Sequence, residues 1–169
     1  EFTSTTLQDF PLPAATPPDR ARRLDTLARE RAASTPAAVA DSAEPTADVL
    51  ASAHAAYQRL TGLLVAEQEE LDWENYAAYG FIEAPLAYAG ELPEVRLGER
   101  AFEIALARRI AAGEASTEWF ARHGSTPVTE IPERWPAGYR ALVQRRLDLI
   151  EADRPLNLLE RPEYKRRWQ

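Results

Sequence analysis

The sequence predicts an all-α protein: an irregular bundle of four to six helices behind a flexible Pro/Ala-rich N-terminal leader. Three observations carry this expectation. Apolar residues recur at helical spacing in separate stretches, among them Ala101, Phe102, Ala105, Leu106 and Ile110, and then Tyr139, Leu142, Val143, Leu147 and Ile150. No stretch alternates apolar with polar residues as a half-buried strand would. Gly80, Gly113, Gly124 and Pro155 stand at the ends of the periodic stretches, where glycine accepts positive φ and proline cannot continue a helix.

Taken in order, residues 1–45 read as a leader with one helix and a linker, 46–153 as the helical domain, and 154–169 as a basic tail. Pro11, Pro13, Pro17 and Pro18 mark an extended start. Asp19 opens a helix to about Ala33, with Leu24, Leu27 and Ala28 on one side. Ser34 to Pro45 is rich in Ala, Pro and Ser and reads as linker or loop. Thr46 can cap a central helix whose Val49, Ala53, Ala56, Leu60 and Leu63 face in. Gly62 is a weak spot there, costing roughly 1 kcal/mol against alanine. Pro85, Gly90 and Pro93 make 81–97 a loop. The next helix, Gly98 to Gly113, is amphipathic, with Glu99, Glu103, Arg108 and Arg109 on its outer side. Ser116 or Thr117 caps a short helix through His123, and 125–136 is an irregular crossing. Pro136 opens a helix to about Ala152 that Pro155 ends, and two short turns follow around Pro162.

The stretch from Leu63 to Gly80 organises the rest. Leu60, Leu64, Leu71 and Ala78 share one helix face, but Trp73 and Tyr76 point away from it on an ideal helix. Either both faces are buried or the helix breaks near Asp72, which could cap a new helix at Trp73. The capping chemistry favours the break. Trp73, Tyr76 and Phe102 are the expected aromatic core.

The net charge of −7 is unevenly placed. Residues 1–133 hold 11 basic and 22 acidic side chains, whereas 134–169 hold 9 basic and 5 acidic. From Leu60 to Val95 there are eight acids and no Lys or Arg, a surface that repels phosphate backbones. The isolated chain is therefore expected to bind duplex DNA poorly. Cysteine is absent, which excludes a disulfide framework, a thiolate metal site and a cysteine nucleophile, and fits a cytoplasmic setting. No apolar run approaches the roughly 20 residues that span a bilayer, so no membrane partner is expected. The Glu-Phe start reads as the edge of a piece excised from a longer protein.

Little in the chain carries catalytic chemistry. His54 and His123 have no nucleophile at catalytic spacing and read as structural, and no Gly-rich phosphate loop is present. Glu67, Glu70 and Glu74 could serve a metal or acid/base site. Without a second acidic motif they read instead as a flank paired with arginines such as Arg108, Arg109 or Arg146. No catalytic, cofactor or metal residue is assigned. The possible nucleic-acid contacts are Arg145, Arg146, Arg161, Lys165, Arg166 and Arg167, the last four lying in a tail that could clamp phosphates or simply be a solvated terminus.

Four strings together resemble a known family. Residues 67–80 (EQEELDWENYAAYG), 98–109 (GERAFEIALARR), 119–132 (WFARHGSTPVTEIP) and 159–168 (LERPEYKRRW) are similar, in order, to the PglX adenine-specific DNA methyltransferases of phage growth limitation, or BREX type 2, anti-phage defence. The resemblance covers roughly residues 60–169; the first 45 residues add nothing to it. It implies adenine-N6 methylation of DNA with S-adenosylmethionine, in a parent protein whose partners are duplex DNA and other phage-defence proteins. The family's Asn/Asp-Pro-Pro-Tyr/Phe tetrapeptide and its Gly-rich cofactor motif are both missing here, so no catalytic or cofactor residue carries over. The expected role is a non-catalytic helical segment supporting or spacing target recognition. The alternative is a protein-interaction module whose acidic face docks another defence-system subunit.

Overall fold

The longest helix sets the frame. Counting along the computed structural model, which describes residues 11–13 and 17–165, the helices are α1 (Pro18–Ala33), α2 (Pro36–Ser42), α3 (Ala47–Ala78), α4 (Ala101–Ala111), α5 (Trp119–Arg122), α6 (Ala137–Ala152), α7 (Arg154–Leu159) and α8 (Pro162–Lys165). No strand occurs among the described residues, so the protein is all-α. The eight described helices exceed the expected four to six because the stretches around Pro36, Pro155 and Pro162 close into short helices of their own. No described helix is long and apolar enough to cross a membrane.

Helix α3 does not break at Asp72. Its 32 residues, Ala47–Ala78, are capped at one end by Thr46, whose hydroxyl accepts the Val49 N–H, and stop at the other just before Gly80. There Gly80, at φ +74°, lets the Phe81 N–H reach the Tyr76 carbonyl at 2.8 Å and its own N–H reach Ala77 at 3.0 Å. These two bonds satisfy carbonyls that a helix end otherwise orphans. The helix stays whole because both its faces are covered. Helices α1 and α2 pack along one side. Arg20 near the start of α1 reaches Glu67 and Glu74, and Arg31 near its end lies over the Tyr57 ring, so α1 runs antiparallel to α3. The other side buries Ala66 and Trp73 in the main core.

That core joins α3 to α4 and α6 through a strap, residues 81–100. Leu92 and Val95 of the strap meet Ile104 of α4, Trp135, and the Tyr139, Leu142, Val143, Leu147 and Ile150 stripe of α6, which is buried as its spacing predicts. The Trp135 indole N–H donates to the Glu94 carbonyl at 3.1 Å and fixes the strap. A smaller cluster gathers Phe102, Leu106, Ala107, Trp119 and Phe120. Trp73 and Phe102 are core residues as expected; Tyr76 is half-buried and packs against the edge of Trp73.

Two further expectations change. Part of the stretch 34–45 that reads as linker is helical, because the Thr35 hydroxyl caps Pro36–Ser42 and Val39 is buried. Gly62 is no weak spot: the Val95 N–H donates to its carbonyl at 3.1 Å, and a Cβ there would come within 3.0 Å of the Glu94 Cβ. Glycine lets the strap lie against the helix backbone.

Candidate functional site

Successive residues on a helix turn by about a hundred degrees, so residues 67–76 of α3 face all round the rod. Its acids and Tyr76 reach several different parts of the chain. Glu67 pairs with Arg20 and Arg23 of α1, and Glu74, two turns on, pairs with Arg20 at 2.6 Å. Glu69 accepts the Ala101 N–H at 2.8 Å, placing a carboxylate on the N-terminus of α4, where the helix dipole favours negative charge. Glu70 accepts the Tyr88 N–H of the strap at 2.7 Å and pairs with Arg146 of α6 at 2.8 Å. Asp72 pairs with Lys165 of α8 at 2.7 Å. Tyr76 donates to Glu160 and accepts from Lys165 at 3.0 Å. The acid-rich run is therefore an inward-facing hub that ties α1, the strap, α4, α6 and α8 to one rod.

Arg146 is the hub's central cation. It is fully buried, its guanidinium lies 5.2 Å from the Trp73 ring centre, and its Nε donates to the Leu86 carbonyl at 3.0 Å. Removing it would leave Glu70 buried without its counter-charge, the costly half of a buried ion pair. Burial dominates at Glu69 and pushes its carboxyl up to about 7, against the pull of Arg146 and the Ala101 amide. Burial also raises the Tyr76 and Tyr139 hydroxyls, aided by Glu160 at the first and by Glu69 and Glu70 at the second. At Lys165 burial works against the charge, but Glu160 and Asp72 prevail and hold the ammonium well above its ordinary range.

Two more acids turn inward at the start of α4. Glu103 and Glu99, expected on the outer side, are both buried. Glu103 accepts from the Gly98 amide at 2.8 Å, the Trp119 indole at 3.0 Å and the Arg100 guanidinium at 3.1 Å. Burial alone would raise its carboxyl; these partners outweigh it and bring the group below the usual range. Glu99 accepts the Arg96 N–H and pairs with Arg134.

The expected phosphate-contacting residues divide. Arg145 is exposed on α6, and Arg161 is exposed between α7 and α8, with a long contact of 3.4 Å to Asn157. Arg146 lies in the interior and cannot reach a ligand outside; its stripe position on α6 beside Leu142 and Ile150 carried that signal. Lys165 is held by Asp72 and Glu160. Arg166 and Arg167 lie outside the described residues. Arg140 and Arg154, which no motif in the sequence singles out, are also exposed on this C-terminal half. Of the arginines expected to pair with Glu67, Glu70 and Glu74, only Arg146 does so; Arg108 donates to the Thr129 carbonyl instead. His54 is exposed beside Gln58, and His123 stacks on Trp119 with ring centres 4.0 Å apart.

A groove of about 370 Å³ lies beside the hub, floored by Phe102, Leu106, Leu147 and Ile150, with Arg109 and Arg161 on its rim.

A protein-family model described as "Domain of unknown function (DUF7008)" matches residues 64–169. The chain is 51% identical over 173 aligned residues to the adenine-specific methyltransferase PglX of Streptomyces coelicolor. That alignment takes in 99% of this chain, so the likeness extends through the first 45 residues, where the four strings gave none. It takes in 14% of the relative, so the chain spans about a seventh of the length of that protein. No solved structure matches. With the hub run and all of α4 to α8 inside the matched region, the chain belongs to the DUF7008 family, and it is similar to about a seventh of the PglX protein of Streptomyces coelicolor.

Proposed function

We propose that this chain is a non-catalytic helical segment of an anti-phage DNA adenine-N6 methyltransferase, and that it supports or spaces the recognition of target DNA. The observation that carries this reading is the hub. It takes five of the eight acids between Leu60 and Val95 (Glu67, Glu69, Glu70, Asp72 and Glu74) into internal pairs and braces the segment. The exposed arginines of the C-terminal half, Arg145 and Arg161 with Arg140 and Arg154, are left facing outward. Phosphate contacts of this kind position a protein on a duplex without reading sequence. The tetrapeptide and cofactor motif missing from this chain would be supplied by the rest of the parent enzyme, together with S-adenosylmethionine, in the cytoplasm where the DNA is.

The test is made in the full-length parent. Arg145→Glu combined with Arg161→Glu should weaken duplex binding and flatten its salt dependence by about 0.9 for each phosphate no longer neutralised, with cofactor binding unchanged. Unchanged affinity and slope would remove these residues from the interface. The alternative, docking of another defence-system subunit on an acidic face, rests on what remains exposed, namely Glu83, Glu91 and Glu94 of the strap. Capture of a defence-system protein that Glu91→Lys with Glu94→Lys abolishes would favour it.

A further inference from the structure

We infer that Lys165, Asp72, Glu160 and Tyr76 form a clasp that holds the segment 160–165 against α3 and so fixes where Arg161 is presented to a phosphate. Lys165 is then a positioning residue rather than a contact. This rests on the proposed function, in which Arg161 meets DNA. Lys165 is the only lysine in a chain with 19 arginines. Its Nζ lies 2.7 Å from Asp72, 2.6 Å from Glu160 and 3.0 Å from the Tyr76 hydroxyl. An ammonium has three N–H donors, so none remains for a phosphate. The same Nζ sits 5.5 Å from the ring centres of both Tyr76 and Phe102, which adds cation–π attraction. Apolar burial within the segment does not hold it: α8 has four residues and no buried apolar one, and the nearest buried apolar residue along the chain is Leu156. Arg161 lies between the two clasped residues, Glu160 and Lys165, and is exposed.

The clasp gives a signed expectation. It holds two carboxylates and one ammonium, so by charge alone deleting Asp72 should raise affinity for an anionic duplex. A clasp demands the opposite, because Arg161 loses its fixed place.

The experiment uses the full chain and a duplex of about 30 base pairs, long enough for several phosphate contacts, titrated by fluorescence anisotropy at low salt. Asp72→Ala should weaken binding about threefold, roughly one surface phosphate contact. Glu163→Ala, removing an exposed acid from the same segment, should strengthen it. Tyr76→Phe, a milder change that leaves the fold in place, should weaken binding in the same direction as Asp72→Ala. An amine-reactive reagent should modify Lys165 slowly in the parent and faster in Asp72→Ala. Asp72→Ala or Tyr76→Phe binding as tightly as the parent, or more tightly, would overturn the clasp while Arg161→Ala still weakens binding. Arg161→Ala without effect would overturn the proposed phosphate contact itself, and the clasp with it.

Discussion

Gly62 lies inside α3, where glycine costs about 1 kcal/mol against alanine. The cost is offset by the strap, which brings Val95 and Glu94 to a distance that a larger side chain would forbid. Gly62→Val is expected to lower stability by about 1–3 kcal/mol in urea unfolding, the usual range for overpacking. A variant as stable as the parent would mean that the strap does not lie on the helix. Glu69 gives a second residue-scale expectation. Its carboxyl is raised from the ordinary value of 4.5 to about 7 by burial, so the folded state binds the proton more tightly than the unfolded chain. The stability this confers is fully present below about pH 4.5 and is lost as pH rises through 7, on the order of 3 kcal/mol in all. Glu69→Gln keeps an acceptor for the Ala101 amide and carries no charge. Stability of the parent relative to this variant should fall between pH 4.5 and 7 and level off above. Identical pH profiles would place Glu69 in solvent.

At the scale of elements, several ends and the α6 stripe were legible in the sequence, whereas Val49, expected to face in on α3, is exposed. Thr46, Gly80, Gly113 and the α6 stripe act through neighbours within a turn or two, and local chemistry decides them. The continuity of α3 was not legible, because an aromatic on the far face looks misplaced until the strap and α6 arrive to cover it. The same holds for the charges. Periodicity assigns Glu103 to water, yet the Trp119 indole and the Gly98 amide close over it. Glu70 depends on Tyr88 and Arg146, residues far along the chain, and no local rule pairs them. Trp73 is where these elements meet, at 0% exposure between α3, the strap and Arg146. Trp73→Ala should cost about 3–5 kcal/mol, the range for emptying a large aromatic site. Thermal unfolding indistinguishable from the parent would remove its organising role.

For the whole molecule, the net charge of −7 and the missing methyltransferase motifs predict a chain with no methyl transfer and weak, salt-sensitive duplex binding. Tight or sequence-specific binding at physiological salt would instead place target reading here. The molecule's central property is that its acid-rich run is a hub, and Arg145 beside Arg146 tests it most directly. The two are consecutive, share one chemistry and are equally basic in the sequence, but one is exposed and the other fully buried against Glu70. Urea unfolding of the two alanine variants separates them. Arg145→Ala should lie within about 0.5 kcal/mol of the parent, as for most surface substitutions. Arg146→Ala should lose about 3–5 kcal/mol, as expected for stranding a buried carboxylate. Equal, small losses at both positions would contradict the hub.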